Sequence, residues 1–127
     1  MTDLAFDHPD LGQRLATLTD EQLDEATFGI IGFDDTTVVQ RYNRFESQAA
    51  GLSPHSVVGQ HFFTSVAPCM NNFMVAQRFD DAQADGVALD ETIPYVLTLR
   101  MRPTKVRLRL LSSPGAATRY VLVQRQP

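Results

Sequence analysis

Tryptophan is absent, cysteine occurs once and histidine three times. One thiol cannot form an internal disulfide, and one thiol with scattered histidines does not make a zinc framework. No apolar run approaches the ~18 residues of a membrane span. The N-terminus, Met1 to Asp7, lacks the basic start and apolar stretch of a secretory leader, so a reducing, cytoplasmic compartment is expected. No glycine-rich phosphate loop is present, since Gly29 and Gly32 lack the spacing of a dinucleotide fingerprint. Positive charge is also scarce: 11 Lys and Arg stand against 15 Asp and Glu, which argues against nucleic acid.

What remains is an ordinary globular composition, 43% hydrophobic and 20% charged over 127 residues. That length suits a single domain with one core. One basic stretch, Arg100, Arg102, Lys105, Arg107 and Arg109, largely alternates with Met101, Val106, Leu108 and Leu110. The period is that of a strand with one wet face, so these cations read as a solvated sheet face.

Leu11, Leu15, Ala16 and Leu18 predict a short amphipathic helix with Asp10 as its N-cap. Two β-rich runs, Phe28 to Phe33 and Thr37 to Tyr42, flank an Asp-containing turn and read as a hairpin. Asn43 and Gly51 bracket a helix, and Ser53-Pro54 opens another that ends at Gly59. The apolar spacing from Asn71 to Gly86 predicts the longest helix. Strands follow at 92–101, 104–112 and 118–124, with Pro103 and Ser113-Pro114-Gly115 at the turns. This order predicts an α+β fold: a five-stranded antiparallel sheet, helices mainly on one face, and a helical N-terminal cap over residues 1–27 before a core of 28–127. A small-molecule pocket belongs between the middle helices and the sheet.

Tyr42 closes the second strand and Glu46 falls in the first turn of the next helix, so a phenol and a carboxyl sit side by side. Each also has a plain reading, as a strand-end tyrosine and a glutamate favoured by the helix dipole. Cys69 follows Pro68, which holds Ala67 extended. With Asn71 or Asn72 capping the next helix, the sulfur would lie near a helix N-terminus and be acylable. Equally, it is a small buried apolar residue. A Cys-His hydrolase using His61 lacks an oxyanion-hole motif, and no enzyme activity is expected.

Taken together, Glu21-Gln22-Leu23-Asp24, Phe28-Gly29, Tyr42-Asn43 with Glu46, Val58-Gly59 with Phe62-Phe63, Val66-Ala67-Pro68-Cys69 and Pro103-Thr104-Lys105-Val106 resemble the photoactive yellow protein family. Its members are blue-light receptors of the Per-ARNT-Sim fold. The resemblance implies p-coumaric acid held as a thioester on Cys69, with Tyr42 and Glu46 hydrogen-bonded to its phenolate. Glu46 donates only if its carboxyl is neutral, which burial favours. It further implies that light isomerises the coumaroyl bond, that Glu46 then gives up its proton, and that the uncompensated carboxylate is relieved by release of the N-terminal cap.

Phe62, Ala67, Pro68 and Met101 join the implied pocket. Two residues depart from the family pattern: Ala50 replaces a threonine that positions the tyrosine, and Leu52 replaces an arginine that shields the pocket. One extra residue after Val87 makes Arg100 an alternative to Met101. The implied protein is a monomer or weak dimer that signals to a downstream protein. The alternative is a Per-ARNT-Sim ligand-sensor or interaction domain without a covalent chromophore.

Overall fold

A computed structural model describes residues 4–98 and 103–125. Arg100, Met101 and Arg102 lie outside them. Five strands, β1 (Gly29–Phe33), β2 (Val39–Tyr42), β3 (Leu89–Leu97), β4 (Thr104–Ser112) and β5 (Arg119–Arg125), form one antiparallel sheet in the order β2-β1-β5-β4-β3. Five α-helices accompany it: α1 (Leu11–Thr17), α2 (Asp20–Leu23), α3 (Arg44–Ala50), α4 (Pro54–Val57) and α5 (Ala76–Asp85). Between α4 and α5 the chain makes a π-helical turn, Phe62–Val66, and a 3-10 turn, Pro68–Met70.

Successive strand side chains point to opposite faces, and here both faces are covered. Ile31, Phe33, Val106, Leu108, Leu110, Val121 and Val123 join a core with Phe62, Phe63 and Phe79. Ile30, Leu111, Tyr120 and Leu122 join a second core with Phe6, Leu11, Leu15 and Leu23 of the N-terminal segment. The N-terminal segment therefore caps one face, and the middle helices and turns cover the other.

This corrects the reading of the basic stretch as a solvated face. Arg107 and Arg109 do point away from the first core, but the cap lies over them, and Arg109 is only 5% exposed. Its guanidinium donates to the carbonyls of Phe6 and His8 at 2.8 and 2.7 Å and to both carboxylate oxygens of Asp90. Arg107 lies 5.1 Å over the Phe6 ring. Arg41, on β2, donates to the carbonyls of Leu15 and Leu18, to Asp20 and to the Tyr120 hydroxyl. Buried backbone carbonyls need donors, and arginines of the sheet supply them to the cap.

Local signals account for most helix ends. The Asn43 side chain accepts the Glu46 N–H, and Gly51 takes the left-handed conformation (φ 72°) that closes α3. Asp10 makes no side-chain cap; its own N–H donates to His8 Nδ1 instead. Helix α2 went unforeseen, although Thr19 and Gln22 form a capping box. The start of α5 also differs: Asn72 Oδ1 accepts the N–H groups of Met74 and Val75, holding a turn that delays the helix to Ala76. Strand β3 begins at Leu89 rather than Thr92.

Replacing Arg109 by methionine leaves the Phe6 and His8 carbonyls without a charged donor, so a loss of about 2–3 kcal/mol is expected. Urea denaturation and protease cleavage within residues 4–26 measure it. Arg44→Ala, whose Asp24 partner is 3.9 Å away and whose own side chain is 66% exposed, should change stability by less than about 0.5 kcal/mol. Equal effects from both substitutions would contradict the clamp.

Candidate functional site

An aromatic floor organises the site-facing core. Phe33 stacks on Phe62 with centroids 5.3 Å apart and meets Phe63 and Phe79 edge-on at 5.5 and 5.1 Å. Such pairs add about 0.5–1.5 kcal/mol each beyond area burial. The π-helical turn makes this possible by placing the adjacent Phe62 and Phe63 both inward, 0% and 6% exposed. Tyr42, Ala67 and Met70 belong to the same cluster, and Leu52, Val66 and Cys69 pack against it.

Cys69 sits in the middle of the 3-10 turn, half-buried and free. Its carbonyl accepts from the Tyr95 hydroxyl and, at 3.1 Å, from Asn72 Nδ2, which also reaches the Tyr95 hydroxyl at 2.7 Å. Tyr95 on β3 and Asn72 thus pin the cysteine backbone while its side chain faces the apolar cluster. The expected placement at a helix N-terminus does not hold, because the Asn72 turn separates Cys69 from Ala76. A helix dipole acts only within its first turn.

Tyr42 ends β2 and is 8% exposed, yet its hydroxyl has no hydrogen-bond partner among the described residues. Burial first, and then the neighbouring Glu46 carboxyl, push its ionisation above the usual phenol range, with Arg125 pulling the other way. Glu46 is 2% exposed. Its carboxylate is held by two hydrogen bonds from Arg125 at the end of β5, 2.6 Å to Oε1 and 3.0 Å to Oε2. This differs from a neutral Glu46 free to donate. The cause lies in strand parity: Arg125 shares the site face with Val121 and Val123. Gly29 makes room, since a Cβ there would collide with Oε1 and lie 3.1 Å from Cδ.

The structure thus brings Tyr42 within electrostatic reach of Glu46 and puts Tyr42, Phe62, Ala67, Leu52 and Cys69 around one cluster. Ala50 is buried at the end of α3, outside that cluster, and Pro68 is exposed. Arg125 and Tyr95 escaped sequence reasoning, Asn72 had been read as a helix cap rather than a partner of the Cys69 carbonyl, and Gly29 only as part of the Phe28-Gly29 match; the alternation along β3 and β5 hinted at which face Tyr95 and Arg125 take. Among the described residues no cluster of His, Cys, Asp and Glu could hold a metal, and no helix is long and apolar enough to cross a membrane.

No protein-family model matches the chain. Photoactive yellow protein of Rhodothalassium salexigens is 31% identical over 125 residues, 98% of this chain and 99% of that protein. Photoactive yellow protein of Halochromatium salexigens is 32% identical over the same shares. This chain belongs to the photoactive yellow protein family. The crystal structure of the photoactive yellow protein domain from the sensor histidine kinase Ppr of Rhodospirillum centenum superposes with a TM-score of 0.80 at 31% identity, covering 89% of this chain and 98% of that one. The Per-ARNT-Sim domain of the Cronobacter turicensis quorum-sensing receptor RpfR shares the fold, with a TM-score of 0.57 at 18% identity over 81% of this chain and 97% of that one. A photoactive yellow protein fold of the Per-ARNT-Sim type, α+β with a five-stranded antiparallel sheet, is therefore established for this chain.

Two outcomes test the geometry. Gly29→Ala must displace the Glu46 carboxyl or strain β1, and a loss of about 1–3 kcal/mol in thermal or urea denaturation is expected; an unchanged protein would show that Glu46 lies elsewhere. For Tyr42, a folded value raised above the unfolded 10.0 gives stability that is fully present below pH 10 and lost as pH rises through it. Between about pH 9 and pH 11, wild type should lose more stability than Tyr42→Phe. Equal losses would place the hydroxyl in water.

Proposed function

We propose that this protein is a blue-light receptor that carries p-coumaric acid as a thioester on Cys69. The observation that carries the reading is the placing, around one apolar cluster, of a lone half-buried cysteine and a tyrosine, 8% exposed, whose hydroxyl makes no hydrogen bond among the described residues. A phenolic ligand oxygen beside Tyr42 would give that hydroxyl an acceptor. The residues present fit the group.

The p-coumaroyl group supplies light absorption and an isomerisable double bond when bound. The protein's own residues do the rest. Cys69, held by Tyr95 and Asn72 through its carbonyl, offers a sulfur whose backbone cannot drift. Acylation forms the S–C bond as the activated donor's leaving group departs with its electron pair, and the thiol proton passes to solvent. Phe62, Phe63, Val66 and Ala67 exclude water along the pocket wall. Tyr42 donates its hydroxyl proton in a hydrogen bond at the far end. Glu46, whose carboxylate Arg125 holds, is the group that takes up a proton when the charge at that end changes.

An ionic change at Glu46 reaches the opposite face through β1 and β5, whose Ile30, Tyr120 and Leu122 carry the N-terminal cap. Cap release is the proposed output, read by a downstream signalling protein in the cytoplasm, with no catalysis by this chain. Leu52, half-buried against the cluster, leaves the pocket mouth without an arginine shield. A second reading, a ligand-sensing or interaction domain without covalent chromophore, draws on the Arg125 pairing, which occupies the Glu46 carboxylate.

Reconstitution with activated p-coumarate separates the two. The first reading expects a coloured protein whose intact mass rises by one p-coumaroyl group, with both changes lost in Cys69→Ser. A colourless, unmodified wild type favours the second reading, and colour that survives in Cys69→Ser contradicts the anchor.

A further inference from the structure

Between α1 and one end of the sheet runs an open groove of about 640 Å3, on the cap face and opposite the Cys69 cluster. Its size is that of a small-molecule site. The floor is Leu111 and Tyr120, both buried, and Gly12 and Ala16 of α1 form one wall. These two residues lie four apart and so share a helix face. Being small, they leave room: a Cβ built at Gly12 would only just touch the Leu111 methyl groups, at 3.9 Å. Ala116 and Ala117, in the turn between β4 and β5, leave the facing wall equally bare.

The groove is braced open rather than packed shut. Arg41 donates to Asp20, to the Leu15 and Leu18 carbonyls and to the Tyr120 hydroxyl, which ties the end of α1 to the sheet. Arg109 donates to both Asp90 oxygens and to the Phe6 and His8 carbonyls, which ties down the segment before α1. A clamp therefore stands on either side of the helix. Each guanidinium is also matched by a carboxylate, Arg41 by Asp20 and Arg109 by Asp90. The remaining charged side chain of the lining is Asp10, which neither caps α1 nor has an ion-pair or hydrogen-bond partner for its carboxyl among the described residues. Ser112, Ser113 and Thr118 bring hydroxyl oxygens to the same groove, and these can accept hydrogen bonds.

An anionic ligand would meet Asp10 where every lining cation is already matched. A neutral apolar one would leave the carboxylate unused. A primary amine on an apolar body suits both features: its ammonium has three donors for Asp10 and the hydroxyls, and its body lies on Leu111 and Tyr120. We propose that this groove is a second binding site, for a small primary ammonium ion with an aromatic or aliphatic body, and that its occupant locks the N-terminal cap to the sheet. Helix α1 supplies one wall, and the end of β4 with the β4–β5 turn supplies the other, so a ligand touches both only while the cap is closed. A ligand that binds the closed form alone opposes opening. The site stands whether or not Cys69 carries a chromophore.

The test uses the full chain without chromophore, and phenethylamine as the probe, with phenethyl alcohol and phenylpropionate as its neutral and acidic counterparts. Titrated against isotope-labelled protein, the amine should shift the amide NMR signals of Gly12, Ala16, Leu111 and Ala117 saturably. It should bind several-fold tighter than the alcohol, and the acid should bind weakest. Asp10→Asn should weaken the amine several-fold and leave the alcohol unchanged. Ala16→Phe, at an exposed position, fills the groove and should abolish binding of both. At about ten times its dissociation constant the amine should slow protease cleavage within residues 4–26 by roughly tenfold. Signals that shift elsewhere or fail to saturate, equal binding of amine and acid, or undiminished binding in Ala16→Phe would each overturn the site. Cleavage that saturating amine leaves unchanged would overturn the lock. Asp10→Asn alters no packing, so that variant decides the matter even if Ala16→Phe fails to fold.

Discussion

The two-residue period of the central strands is the constraint on which everything else depends. It sends Ile31, Val121, Val123 and Arg125 to the side of Phe62 and Glu46 and Ile30, Tyr120 and Leu122 to the cap side of the same sheet. A one-residue slip of β5 would carry Arg125 away from Glu46 and bury Gln124 in its place. Strand pairing between β5 and both neighbours, β1 and β4, fixes the register from two sides. The Glu46–Arg125 pair and part of the cap's anchorage therefore rest on one strand.

That arrangement gives a physical route from site to surface. The cap has little core of its own: α1 and α2 contribute Leu11, Leu15 and Leu23, and depend on the sheet for the rest. Its further ties include hydrogen bonds from Arg41, Arg109 and Asn43 to carbonyl groups, the Arg41–Asp20 pair, and Arg107 stacked on Phe6. Segments held by few apolar contacts open at low free-energy cost. In the proposed light response, a charge change behind β1 and β5 would act on the strands from which Ile30, Tyr120 and Leu122 hold the cap.

Much of this was legible where the signal is local. Asn43 and Gly51 marked α3, and Pro103 with the Ser113-Pro114-Gly115 turn bounded β4 at Thr104 and Ser112. The start of α5 was not, because Asn72 stabilises a turn rather than a helix cap. In edge strand β3, Leu89 is followed by Asp90, Glu91 and Thr92, all exposed, so its start carries no apolar alternation. Around the site, Tyr42, Glu46 and Cys69 stood out through their neighbours in sequence. Arg125 is 79 residues from Glu46 and nothing near it in the chain announces the pair. Alternation also revealed that Arg107 and Arg109 share a face, but could not say that the cap lies over it.

The central claim is that these pieces form a light receptor, and the absorption spectrum of the reconstituted protein before and after a blue or near-ultraviolet flash tests it most directly. The account predicts that the resting band is depleted by the flash, that a shifted species takes its place, and that the resting band returns in the dark. A spectrum that light leaves unchanged, in a protein carrying one p-coumaroyl group on Cys69, would contradict it.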